Sequence, residues 1–340
     1  MTIHSSQFDT KTKPKSFWLV FCIFLFSLIL GLYLSLRFGA VSYSHQEVMA
    51  VLKQPFKPSD AQDIIIDLRI PRIIGALLVG AAFAVAGAIM QGVTRNPIAD
   101  PGLLGINAGA GLALVAGYAI FPHLHYLQIL LFCLLGAFLA ALIVFSLAYT
   151  RRGYHQIRLV LAGAMVATLL QSIGQAITIY FHLSSAVIGW QAGGLIALNW
   201  KMLAIIAPFI LLGLVLAQLF SHQLTILSLD DTVAKSLGQK TGIISLIFLG
   251  IVLLLSSAAV ALVGSMAFVG LIIPHMIRSL TKQNYQKLLP LSALAGASFI
   301  LYVDLICRTI NPPYETPLNA IVSFIGLPCF IWLLRKGRHL

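Results

Sequence analysis

The side chains of this 340-residue chain that could do chemistry are few, and they lie at the edges of long apolar runs. Arg69 and Arg72 stand three apart, so on a helix they share one face. Asp304 and Arg308 stand four apart, the spacing of a helical ion pair. Asn96 and Asp100 each precede a proline, Pro97 and Pro101, and each can cap a helix whose first residue is that proline. Asp230 or Asp231 can cap a short helix over Thr232–Leu237, which Gly238 ends. Pro274 should break or kink the helix that contains it, and His275 beside it reads as structural before it reads as a ligand. Cys22, Cys133, Cys307 and Cys329 are scattered through apolar runs without metal-ligand spacing, so they read as small buried hydrophobes and no metal or cofactor is expected. No GxxxxGK[ST] phosphate loop, no HExxH and no mid-membrane carboxylate pair occurs. An enzyme would need a catalytic cluster, and an ion-coupled carrier would need a charged relay at mid-membrane. Neither pattern is present, so energy for any transport must come from another subunit.

The elements that position these residues follow from composition. The chain is 59% hydrophobic and 9% charged, whereas soluble domains carry about a quarter charged residues. So few charges cannot coat a water-soluble surface of this size. The net charge of +12 comes from lysines and arginines in short breaks between apolar runs, which is a topology signal rather than a nucleic-acid footprint. A crossing takes about 20 apolar residues. Candidates are 17–36, 70–92, 102–120, 126–149, 157–181, 202–220, 289–307 and 316–334. The stretch 242–280 has Lys240 before it and Arg278 and Lys282 after it; with both ends on the cytoplasmic side it must cross twice, breaking at Gly264–Ser265. The expected fold is an all-α membrane bundle of about ten transmembrane helices.

The first apolar run is too long for a signal-peptide core and lacks an A-x-A-like site, so it reads as a retained helix with the N-terminus inside. Inner loops then hold Arg95; Arg151, Arg152 and Arg158; Lys235 and Lys240; Lys282 and Lys287; and Arg335, Lys336 and Arg338. Residues 1–16 are expected to form an inner tail, 17–336 one transmembrane domain, and 337–340 a second inner tail. The one sizeable outer segment, 41–67, should hold an amphipathic helix through His45–Leu52. Arg37, Lys53, Lys57, Arg69, Arg72 and Arg308 are outer basic residues that run against the topology rule. Such arginines either snorkel to lipid head groups or accept acidic groups of a partner. The inner segment 221–241, with its short capped helix, either connects two crossings or docks a cytoplasmic partner.

A resemblance rests on these motifs: Leu68-Arg-Ile-Pro-Arg72; Gly75-Ala-Leu-Leu-Val-Gly-Ala-Ala82; Gly87-Ala-Ile-Met-Gln91; and Thr94-Arg-Asn-Pro-Ile-Ala-Asp-Pro-Gly-Leu-Leu-Gly105. Further on come Leu161-Ala-Gly163, Gly189-Trp-Gln-Ala-Gly-Gly194, Ala234-Lys-Ser-Leu-Gly238, Gly264-Ser-Met-Ala-Phe-Val-Gly-Leu-Ile-Ile-Pro-His275, Asp304-Leu-Ile-Cys-Arg308, Tyr314-Glu-Thr-Pro317 and Gly326-Leu-Pro328. In this order, from about residue 65 to the end, the chain resembles the permease subunits of iron-siderophore, haem and vitamin B12 ABC importers, the FecCD type of type II importer. It departs at Asp230 and Asn319, where glycine is common in that family.

The resemblance implies a vitamin B12 permease-like fold and a pathway enclosed with a second permease subunit, identical or homologous. It implies two cytoplasmic ATPase subunits that bind the ATP, and an extracytoplasmic substrate-binding protein, all at a bacterial cytoplasmic membrane. By similarity Arg69, Arg72 and Arg308 dock the binding protein, while Asp231, Ala234, Lys235, Leu237 and Gly238 couple to the ATPase. Gln91, Asn96, Pro97 and Asp100 are pathway or inner-turn candidates. The segment Arg308–Pro317 looks more like hydroxamate-siderophore permeases than like the vitamin B12 type; haem and vitamin B12 are the alternative cargoes.

Overall fold

In the computed structural model the described residues are 16–337, other than 56, 122, 151–152, 155, 184–192, 196–197, 282 and 313. The tails 1–15 and 338–340, Arg151, Arg152, Lys282 and most of the Gly189–Gly194 motif lie outside them. The helices in chain order are α1 (Phe17–Arg37), α2 (His45–Lys53), α3 (Asp60–Gln62, continued as π-helix through Arg69) and α4 (Ile70–Thr94). A 3-10 turn (Pro101–Leu104) leads into α5 (Ile106–Ile120), then α6 (Tyr126–Ala148) and α7 (Gln156–Tyr180). The rest are α8 (Trp200–Leu219), α9 (Ser221–Leu227), α10 (Asp231–Ser236), α11 (Thr241–Val263), α12 (Val269–Leu280), α13 (Tyr285–Thr309) and α14 (Leu318–Gly337). A two-residue antiparallel ribbon pairs Tyr149–Thr150 with Gly153–Tyr154.

Among the described residues seven helices are long and apolar enough to cross a membrane, and three shorter apolar ones stand where the remaining crossings are expected. The fold is the expected all-helical membrane bundle. The predicted break at Gly264 is present, but the second half of the stretch is not a full helix. Residues 264–268 are non-helical, and α12 has only 12 residues. At 1.5 Å per residue such a helix spans about 18 Å, so the irregular stretch must supply the rest of the crossing.

α4 is the axis of the bundle, packed by α13, α11, α12 and α8. Glycine permits this. A Cβ on Gly80 would lie 2.2 Å from the Gly296 carbonyl oxygen of α13, and one on Gly87 would lie 1.9 Å from that of Gly270 on α12. Backbones in lipid gain most of their contact this way, because no hydrophobic force separates helix from solvent there. α1, α6, α7 and α8 carry the exposed apolar side chains, as a lipid-facing or partner-facing layer must. Two of the four cysteines, Cys22 and Cys329, are exposed rather than buried, because α1 and α14 are peripheral.

The expected amphipathic helix is α2. Ser44 and Glu47 form a reciprocal capping box, with Ser44 N–H donating to Glu47 at 2.7 Å. Val48 and Val51 pack on Ile65. Pro274 does not break α12. A proline frees the carbonyl four residues before it, here that of Gly270. The Gln91 side-chain amide donates to it at 3.3 Å and to Leu271 O at 3.2 Å.

Candidate functional site

α4 is about 37 Å long at its 25 residues, so Arg72 near its start and Arg95 after its end mark opposite ends of the bundle. Three sites lie along this axis.

At the Arg72 end the three arginines expected to dock a binding protein are buried. Arg72 donates through Nε to Asp304 Oδ1 at 2.7 Å and grips Glu315 with both terminal nitrogens, at 2.6 and 2.8 Å. Arg308 Nε lies 3.0 Å from the other oxygen of Asp304, the ion pair expected from the spacing. Its Nη1 donates to Phe38 O at 3.4 Å. Arg69 donates to the carbonyls of Leu36 and Val41 and stacks over Tyr43 at 4.9 Å. A charge this deep persists only with partners. Asp304 is fully buried, and Glu315 is the half-exposed member of the knot.

Between the two ends lies an open groove of about 640 Å³, mostly apolar with a few polar side chains, lined by the 96–102 turn, α5, α7, α14 and the irregular stretch 265–268. A second hollow of about 270 Å³ adjoins it, sharing Asn107, Ala108, Gln171 and Ser265. Non-helical backbone at membrane depth is tolerated only where it is buried in protein or lines a cavity. Two side-chain amides satisfy its carbonyls: Asn107 donates to Met266 O at 3.1 Å, and Asn319 to Ser265 O at 2.7 Å. Phe268 turns the chain into α12 in a left-handed conformation, φ 68°. Gln171, Gln175 and Ser323 add neutral polar groups. Sequence reasoning misses Asn107, Gln171 and Ser323; the available signal is an amide or hydroxyl inside a run of apolar residues. Asn319 stands out in the sequence only as a departure from a common glycine.

The inner-turn candidates separate. Asn96 and Asp100 line the groove. Asn96 Oδ1 accepts from Ile98 N at 3.1 Å, and Asp100 Oδ1 accepts from Gly102 N at 2.8 Å, capping the 3-10 turn as expected. Burial pushes the Asp100 carboxyl up to about 6. Pro97 is exposed. Gln91 is buried: besides donating to the Pro274-freed carbonyl, its Oε1 accepts from Arg278 at 2.6 Å.

At the opposite end α9 and α10 form the predicted coupling segment. Asp230 occupies the N-cap of α10 without a side-chain bond, a correction to the expected cap. Asp231 instead pairs with Lys235 at 2.5 Å and with Arg95 at 3.7 Å. The Lys235 hydrogen bond holds the Asp231 carboxyl below its ordinary value. Gly238 ends the helix at φ 78° with open space around its α-carbon. Ala234 is fully buried, while Leu229, Val233 and Leu237 are exposed. The outward apolar face is therefore theirs, and Ala234 is corrected from a surface contact to an inward anchor.

The sequence pattern of the FecCD transport family matches residues 27–336. The Fe(3+)-citrate import system permease of Bacillus subtilis (strain 168) is 40% identical over 334 residues, covering 98% of this chain and 99% of the relative. The iron(3+)-hydroxamate import system permease of the same organism is 39% identical, covering 92% of this chain and 82% of the relative. Among solved structures, a metal-chelate type ABC transporter in an inward-facing conformation superposes with a TM-score of 0.79 at 28% identity, covering 94% of this chain and all of that one. With the family pattern matched over residues 27–336 and these relatives matched over nearly the whole chain, the chain belongs to the FecCD transport family.

Proposed function

We propose that this chain is the membrane permease subunit of an ABC importer for iron complexes. The observation that carries the reading is the groove, where a broken crossing and neutral amides face a cavity large enough for a small chelate. The side-chain amides and hydroxyls in its mostly apolar wall can touch a polar complex, with the Asp100 carboxyl beside them. A second permease copy or homologue closes the open side. Two ATPase subunits bind the ATP and dock on Leu229, Val233 and Leu237 of the α9–α10 region, so that this end and both termini face the cytoplasm of a bacterial cell. A substrate-binding protein delivers at the Arg72 end, where the buried arginines hold the receiving face and leave Glu315 accessible at it.

The finer assignment is a hydroxamate-type iron(III) siderophore, supported by the segment Arg308–Pro317. Relatives named for citrate and for hydroxamate match about equally well, so this assignment rests on that segment. The test is radio-iron uptake by a strain lacking this gene and complemented with it, given hydroxamate, citrate or haem iron one at a time. Hydroxamate-dependent uptake that stops when the ATPase is inactivated is expected. Uptake of citrate iron alone overturns the finer assignment, and uptake driven by a proton gradient without ATP overturns the importer class.

A further inference from the structure

We infer that Arg95 is a positioning residue that ties the ATPase-docking segment to the end of the transport groove; this rests on the reading above. Arg95 follows the last turn of α4 in a left-handed conformation, φ 51° and ψ 31°. Glycine adopts that conformation freely and a residue with a Cβ does not. What the arginine supplies is its side chain. Nε donates to Leu227 O, the last carbonyl of α9, at 3.0 Å. Nη2 lies 3.7 Å from Asp231 Oδ1, the first carboxylate of α10. One guanidinium thus holds both helices of the docking segment at their junction.

The backbone of the same residue opens the turn that borders the groove. From Arg95 the chain runs into Asn96–Asp100, which the Asn96 and Asp100 side chains tie into a stiff pair of turns. Asn96, Ile98 and Asp100 line the groove. The far oxygen of Asp100 sits where a Cβ on Gly270 would come within 2.9 Å, so the turn also rests on α12. A shift of α9 and α10 therefore moves the Arg95 side chain, and through five residues of tied backbone it moves the groove lining. The strained conformation is the cost of placing both functions on one residue.

Glycine at this position separates a strut from a mere cap. Arg95→Gly relieves the backbone strain but removes the guanidinium. The complete transporter, permease with ATPase and binding protein, is reconstituted in proteoliposomes with Arg95→Gly, Arg95→Lys or wild type. Chelate delivered per ATP hydrolysed, permease melting temperature and ATPase co-purification are measured. For Arg95→Gly we expect melting at or above wild type, retained ATPase, and at least about fivefold less chelate per ATP, the lower end of usual coupling between sites. Arg95→Lys should recover part of the loss through Asp231. Chelate per ATP for Arg95→Gly within about twofold of wild type overturns the inference. Loss of ATPase from Arg95→Gly also overturns it, since the fall in chelate per ATP would then follow from lost docking and not from a lost tie between the docked segment and the groove. Absence of ATP-driven uptake by the wild type is a different result: it overturns the importer reading, and this inference with it.

Discussion

The two ends of α4 handle charge in opposite ways. At the Arg72 end, three guanidinium groups and the Asp304 carboxylate are sealed inside the fold, with Glu315 at the rim. At the Asp231 end, the ion pairs are open to water and the apolar side chains Leu229, Val233 and Leu237 point outward. The first end is built to stay: a buried charge stripped of its partner is costly, so Phe38, Val41 and Glu315 are pinned to the helices. The second is built to be gripped, with exposed ion pairs that contribute little and an apolar face that gains only when covered.

This contrast can be broken by substitution. Asp304→Ala should have the largest effect. It leaves Arg72 and Arg308 buried with Glu315 as the remaining carboxylate and should cost roughly 3–5 kcal/mol, read as loss of folded protein from membranes; wild-type yield and melting would show that the knot is not structural. Ala234→Arg comes next, because a cation forced into a fully buried site should unravel α10. Protease cleavage within 221–241 together with loss of the ATPase is the expected readout, and an intact segment that still fails to bind would return Ala234 to the surface. Leu237→Asp should leave melting within about 0.5 kcal/mol of wild type while weakening ATPase binding about tenfold or more. Unchanged binding would move the docking face elsewhere. Glu315→Gln removes one charged partner of Arg72 at the rim and should cost about 1 kcal/mol, measured by melting in detergent.

The smallest effect concerns pH. Lys235 holds the Asp231 carboxyl below its ordinary value of 3.8, so the charged form is favoured in the fold. Its contribution is present above that ordinary value and is lost only as pH falls through the lower folded one. ATPase binding should therefore be flat from about pH 8 to pH 5. A drop within that window, measured by co-purification, would mean that another group controls the docking face.

The crossings were legible because dense Leu, Ile and Phe leave no other solvent to choose, and the break at Gly264–Ser265 was legible from charge on either side. The Asp304–Arg308 pair lies within one helix and could be read from its spacing. Arg72 could not be read in the same way, because its second partner, Glu315, is 243 positions away. Ala234 was misplaced because a helix of six residues carries too little periodicity to say which face is inside. Gln91 came as a pathway or inner-turn candidate through the resemblance alone, because the reason to bury its amide is not local. That reason is Pro274, far along the chain, whose missing N–H leaves a carbonyl to satisfy.

The paired glycines of α4 have a mechanical consequence. Gly80 meets Gly296, and Gly87 meets Gly270, at distances where backbone touches backbone at two heights along one face of the helix, since seven residues make almost two full turns. Such a helix cannot roll, because turning it would drive the alanines beside those glycines into the neighbouring main chain. α4, α12 and α13 are thus locked together along one seam, which any rotation of α4 would have to break.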